Sequence, residues 1–328
     1  MLGYIVRRIL FMLPTLFVIS VISFVIIQLP PGDYLSTYAA QLSEQGDNID
    51  LAAIEALRAR YGLGQPIYVQ YYKWVSSIIL HGDWGQSMEW QKPVKDLIWE
   101  RIGLTMALSG VSLLVSWFVA IPVGVYSATH QYSILDYVMS VISFLGTGTP
   151  GFMIALVIMW FAMTRLNLNV GGLYSQEYML SSWNLAKVVD LLKHIWIPVL
   201  IIALNSTAGS IRTTRANLLD ELNKPYVEIA RAKGIKESKL IWKYPVRVAM
   251  NPFFSTVGWS LAQLVSGQTL IAYVLSLQTT GPMLMRALMS QDMYLAGSFL
   301  FLLSVLTVIG TLISDIMLAW VDPRIRMT

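Results

Sequence analysis

Six long runs without Asp, Glu, Lys or Arg dominate the chain: Ile9 to Gly32, Ile102 to Leu135, Tyr137 to Thr164, His194 to Ile211, Val248 to Met285 and Met293 to Ser314. An α-helix needs about 20 apolar residues to cross roughly 30 Å of hydrocarbon. Five of the runs exceed that length, and the run from His194 falls slightly short. The pattern predicts an all-α, polytopic membrane protein with six transmembrane helices, at about 9–29, 103–129, 135–164, 194–215, 250–275 and 293–320. The polar stretches between them are unequal. A segment of nearly seventy residues, 30–101, follows the first helix, and a second polar loop, 216–249, separates the fourth from the fifth.

Composition agrees with the pattern, since 55% of the chain is hydrophobic and 13% charged, too sparse in charge for an ordinary soluble domain. The net charge of +4 is unevenly distributed. With the N-terminus inside, the inner segments hold 13 of the 23 Lys and Arg residues, nine of them from Arg212 to Arg247. That is the positive-inside bias, and it predicts cytoplasmic N- and C-termini, with 1–8 inside and 30–101 periplasmic. The basic charge is therefore topological rather than a nucleic-acid footprint. Arg7 and Arg8 precede an apolar run too long for a signal peptide, without a small-x-small cleavage site after it, so the first helix is expected to be retained. Cysteine is absent, which excludes disulfides and thiolate metal ligands.

The 30–101 segment is long enough to hold helices of its own. Asp50 suits the cap of one through Tyr61. Another is expected from Pro66 to about Leu80, its Tyr68, Tyr71, Tyr72 and Trp74 suited to the membrane interface. Within the apolar runs the polar positions are few. Ser109, Ser112 and Ser116 suit close helix packing, as does Gly124 in the IPVGV stretch. The sequence GTGTPG from Gly146 to Gly151 breaks the middle of a membrane helix, and the freed backbone groups must meet protein or a water-filled cavity. Asn205, Ser206 and Thr207 lie mid-run, and so do Gln263, Ser266, Gln268 and Thr269. Thr147, Thr149, Pro150, Asn205, Ser206, Gln263 and Gln268 are the candidate pathway residues, with helix-to-helix packing as the competing role. Arg212 and Arg215 mark the inner water boundary.

The 216–249 loop has a structure of its own. Pro225 suits the first turn of a helix and Gly234 the left-handed residue after its end. The rod between them is roughly 13 Å long, too short to stand alone in water, so packing must hold it. Tyr226, Ile229 and Lys233 share one side. Val227, Ala230, Arg231 and Gly234 share another, whose small residues suit close approach to a partner.

No G-x-x-x-x-G-K-[ST] loop occurs, so energy from ATP must come from another chain. There is no H-E-x-x-H and no G-x-S-x-G, and His81, His130 and His194 are too scattered to suggest zinc. No catalytic or metal site is expected. An ion-coupled secondary transporter is the competing class, but the runs are nearly charge-free at their centres and no repeat is evident.

Glu228, Ala230 and Gly234 reproduce the E-x-A-x-x-x-G spacing of the loop found in permeases of ATP-binding-cassette importers, with the local form ARAKG. The opening MLGYIVRRILFMLPTLFVISVISFVIIQLPPGD, the outer stretches YGLGQPIYVQYY and HGDWGQSM, IPVGV and the terminal VDPRIR also resemble the dipeptide, oligopeptide and nickel permease family. The outer LSLQTTGPMLMRALMSQDMYLAG departs from it, lacking the family's tryptophan-bearing turn. The resemblance implies a non-catalytic inner-membrane subunit whose Tyr226, Glu228, Ala230, Arg231, Ala232, Lys233 and Gly234 dock an ATPase. Implied partners are a second permease, two ATPases that bind ATP and Mg, a periplasmic solute-binding protein and membrane lipid. The implied cargo is an oligopeptide; oligosaccharides, opines and nickel chelates are the alternatives.

Overall fold

The computed structural model describes residues 2–28 and 65–321, apart from 88, 168–169, 180, 256–262, 264, 267 and 291. The helix expected to follow Asp50 lies outside the described residues. Helix α1 spans Leu2–Gln28 and α2 spans Ile67–His81. A two-stranded antiparallel hairpin, β1 (Gln86–Ser87) and β2 (Lys92–Pro93), leads into α3, Val94–Thr129. Next come α4 (Ile134–Gly148), α5 (Gly151–Arg165) and the 38-residue α6 (Leu185–Leu222). Short helices follow: α7 (Pro225–Ala232), α8 (Glu237–Lys243), α9 (Pro245–Ala249) and α10 (Asn251–Ser255). The described chain closes with α11 (Thr269–Val274), α12 (Thr280–Met289) and α13 (Met293–Val321).

Three described helices are long and apolar enough to cross a bilayer: α3, α6 and, over Tyr294–Ile316, α13. The pair α4 and α5 meets the same test only jointly, because the two are bent by 105° at the break. The single helix expected over 135–164 is therefore two. Pro150 lacks an N–H and forces the residue before it out of the helical region, and Thr149 is extended at φ −102°, ψ 128°. Helix α3 begins nine residues before its expected start and ends where expected, while α6 outruns its expected span at both ends, starting where Asn184 caps it by accepting from the Lys187 amide at 2.7 Å. In α1 the described apolar stretch is Leu10–Val25. Over the span expected at 250–275 the described helical residues are those of α10, Gln263, Val265, Ser266 and those of α11, with Gln268 non-helical at φ −85°, ψ 79° just before α11.

Helices α3 and α6 form the central pair, and α4 lies against α6. Contact is close where glycine meets a small side chain. A Cβ at Gly124 would stand 2.6 Å from the Thr214 Cβ, and one at Gly146 2.7 Å from the Ala208 Cβ. One apolar cluster joins Leu108, Ala155, Ile201, Ile202, Ile271 and Leu275 across α3, α5, α6 and α11. A second joins Leu97, Val265, Met283, Leu295 and Phe299. Helix α1 packs on α13, and α2 lies across both through Phe24, Trp74 and Phe301, whose rings are 5.5 and 5.7 Å apart. Tyr68, Tyr72, Ile79 and Leu80 on α2 face outward.

Candidate functional site

Two features stand out, a short capped helix at one end of α6 and a cavity beside the middle of the same helix. The short helix is α7. Pro225 occupies its first turn, where a missing N–H costs nothing. After Ala232 the chain turns through Gly234 at φ +73°. The Gly234 amide donates to the Arg231 carbonyl at 3.0 Å and the Ile235 amide to the Ala230 carbonyl at 3.5 Å. That pair of bonds, with Ile235 packed near Ala230, is a Schellman turn. The helix is about 12 Å long. What seats it is a small core of Val227, Ala230 and Leu240, bordered by Ile235, Ile241 and Tyr244.

This seating divides the expected docking residues. Ala230 is 6% exposed and faces the chain's own core, so it supports the surface instead of forming it. Val227, expected beside it on a partner-facing side, is fully buried. Tyr226, Glu228, Arg231, Ala232, Lys233 and Gly234 are exposed, as is Ile229 at 57%. The Tyr226 hydroxyl donates to Glu221 Oε2 at 2.5 Å, and partial burial together with that carboxylate raises the phenol well above its usual range. Arg231 is held by two hydrogen bonds to Glu237, of 2.6 and 3.1 Å, which keep the Glu237 carboxyl below its usual range. The exposed face is thus an apolar centre, Ile229, edged by fixed polar groups.

The cavity has a volume of about 730 Å³, within the range of small-molecule sites. Five of the seven expected pathway residues line it: Pro150, Asn205, Ser206, Gln263 and Gln268. They come from the α4–α5 break, from α6 and from the segment before α11. The Asn205 side-chain amide donates toward Gln268 Oε1 at 3.4 Å. Thr147 and Thr149 are not part of the lining. The Thr147 hydroxyl donates to the Ser143 carbonyl at 2.8 Å from an exposed position, and Thr149 ends α4 with its amide bonded to the Leu145 carbonyl. The bend presents Pro150 and Gly151 to the cavity and turns the preceding residues away.

Ser109 and Ser112, expected to serve helix packing, also line the cavity, with Ser266 and Thr269. The Ser112 hydroxyl donates to the Leu108 carbonyl at 2.8 Å, and that of Ser206 to the Ala203 carbonyl at 3.1 Å. The lining is made of amides, hydroxyls and apolar groups; among the described residues it has no charged side chain.

Behind the cavity wall, the start of α12 packs tightly on α11 and the segment before it. The Thr280 hydroxyl donates to the Val265 carbonyl, and its amide to Thr105 Oγ1 at 3.1 Å. A Cβ at Gly281 would lie 2.9 Å from the Ser266 carbonyl oxygen and 3.0 Å from the Thr269 Cα. Backbone cannot yield as a side chain does. Gly281→Ala is therefore expected to cost ~1–3 kcal/mol of stability, read as a lower thermal midpoint in detergent, with the defect confined to the wall next to Gln268.

Sequence reading missed one pair. Asp136, 2% exposed, accepts two hydrogen bonds from Arg215, at 2.8 and 2.9 Å. Arg215 is thus tied to α4, while Arg212 lies over the Phe144 ring, 5.9 Å from its centroid. The signal was present, because Asp136 alone separates the second uncharged run from the third.

Comparison with known proteins gives this geometry a family. Residues 120–327 match the model for the binding-protein-dependent transport system inner membrane component, and residues 1–109 match the N-terminal model of the same system. The chain belongs to this family of transport permeases. It is 33% identical to the oligopeptide transport system permease protein AppB of Bacillus subtilis, over 99% of this chain and 100% of the relative. It is 26% identical to the dipeptide transport system permease protein DppB of Alkalihalophilus pseudofirmus, over 99% and 100%. Identity to the glutathione transport system permease protein GsiC of Shigella boydii is 28%, over 99% of each chain. The permease is accordingly a multi-pass inner-membrane protein of the peptide group of ATP-binding-cassette importers.

Proposed function

We propose that this permease is one of two similar subunits that together enclose the pathway of an ATP-driven importer. Two cytoplasmic ATPases grip the exposed face of α7 around Ile229, both chain termini lie on their side of the membrane, and a periplasmic binding protein delivers the solute. ATP-driven closure of the ATPases draws the short helices together and turns the bundle from inward-open to outward-open; hydrolysis resets it. The change is a rigid-body rearrangement, and no bond of the solute is altered. The observation that carries this reading is continuity: α6 lines the cavity at Asn205 and Ser206, then runs about 25 Å further to the turn that starts α7.

The proposed cargo is a short peptide. Its backbone offers donors and acceptors to Asn205, Gln263 and Gln268, and the neutral lining sets no demand on side-chain charge. Three of the relatives are named for oligopeptides, dipeptides and glutathione.

The experiment is uptake of a labelled tetrapeptide into proteoliposomes that hold this permease with its partner permease and ATPases. Uptake is expected to require ATP inside the ATPase-facing compartment and to persist when ionophores collapse all ion gradients. Uptake that follows an ion gradient with ATP irrelevant, or ATPases that never co-purify, overturns the assignment. Saturable uptake of an oligosaccharide, opine or nickel chelate in place of the peptide overturns the cargo alone.

A further inference from the structure

The Asp136–Arg215 pair has no part in the docking face or the cavity lining, yet it joins the two elements that connect them. Asp136 is in the first turn of α4, on a helix capped by Ser133, and its carboxylate also accepts from the Tyr132 amide at 3.1 Å. Arg215 sits seven residues before the end of α6, which leads into α7. Both carboxylate oxygens are engaged by the guanidinium, through Nε and Nη2, a planar fork that fixes orientation as well as distance.

From that point α4 runs alongside α6 toward the cavity. Gly146 meets Ala208, and Gly151, just past the break, meets the Asn205 amide, with a Cβ there only 3.0 Å from its Cγ. Helix α4 is thus fastened to α6 at its beginning by the ion pair and at its end by close packing, and its end is the break that lines the cavity.

We propose that Asp136 and Arg215 are positioning residues that transmit movement of α7 to the cavity wall. When α7 is displaced by its partner, α6 alone would carry Asn205 and Ser206; the ion pair makes α4 travel with it, so Pro150 and Gly151 move as well. Without the pair, packing at Gly146 and Gly151 slides, and the α4–α5 break no longer follows α6. This inference rests on α7 being the point where force enters, as proposed above.

The test uses the full assembly of two permeases and two ATPases in proteoliposomes. The chain has no cysteine, so a single Leu113→Cys, at an apolar lining position, gives one thiol at the cavity, labelled with a water-soluble maleimide and read on this chain's own band. In the Asp136→Asn and Arg215→Gln variants, ATP hydrolysis and co-purification of the ATPases are expected to persist. Uptake per ATP falls about tenfold, and ATP no longer changes the labelling rate of the cavity thiol. The exchanged pair, Asp136→Arg with Arg215→Asp, recovers part of both. The proposal is overturned if the single variants couple and label as the parent does, or if uptake falls only in proportion to lost assembly, which is what a merely structural pair would give. A parent assembly whose uptake needs no ATP would instead overturn the importer reading and this proposal with it, so the two failures are told apart by the parent alone.

Discussion

Replacing Gly234 by valine is expected to reduce ATP-driven uptake about tenfold, while Gly234→Asn keeps most of it. The argument is conformational. Gly234 sits at φ +73°, where a side chain is strained, yet a Cβ there would meet nothing within 4 Å. The loss therefore comes from the backbone and not from a clash. A left-handed residue costs roughly 1–2 kcal/mol when it carries an ordinary Cβ, most for a β-branched one and least for Asn, and 1.4 kcal/mol is tenfold in an equilibrium. An eight-residue helix has little reserve of its own, because it is held by a small core of Val227, Ala230 and Leu240 with Ile235, Ile241 and Tyr244 at its border, and by exposed hydrogen bonds from Tyr226 and Arg231. The measurement is the amount of ATPase retained per permease on co-purification, followed by uptake per ATP. Equal loss for valine and asparagine would show that bulk at the surface matters and the turn does not.

Gly124→Leu should be the most destabilising single change in the membrane-spanning part, by ~1–3 kcal/mol or about 5 °C in thermal midpoint. At Gly124, helix α3 touches α6 so closely that an added Cβ would stand 2.6 Å from the Thr214 Cβ and 3.0 Å from the Ile211 carbonyl oxygen. The first neighbour is a branched side chain at its root and the second is backbone, so neither can swing aside. The helices must separate, and the cluster of Val125, Ala128, Leu218 and Val246 opens with them. A Thr214→Gly change in the same chain removes one of the two contacts and recovers part of the loss. Gly103 and Gly110, on the same helix, have nothing within 4 Å; alanine at either is expected to be neutral or slightly stabilising. If alanine at those positions lowers the midpoint as much as leucine at 124, close packing is not the cause.

Both effects trace back to features visible in the chain, though not equally. Pro225 and Gly234 bracket α7 in the sequence as they do in the fold, because each residue's local geometry is its own. IPVGV could be read as a packing stretch, since small residues permit close approach; that Thr214 is the neighbour could not. Ala230 shows the limit more sharply. Its spacing and size suited a partner's groove as well as the chain's own core, and only the position of Leu240 chose between them.

The amino-acid sequence by itself determined that the chain is helical and membrane-embedded, where its long apolar runs lie, where α7 starts and stops, and that the segment 146–151 would break a helix. These are consequences of composition, chain length and local backbone chemistry, which act within a few residues. The tertiary structure alone decided the 105° direction of that break, the placing of Ser109 and Ser112 on a cavity, the turning of Thr147 away from it, and the meeting of Asp136 with Arg215 across 79 residues of sequence. The physical reason is that helices apolar on every side carry no stripe to say which face is inward. Their orientation is set by where a glycine, a proline or a single buried charge finds its partner on another helix.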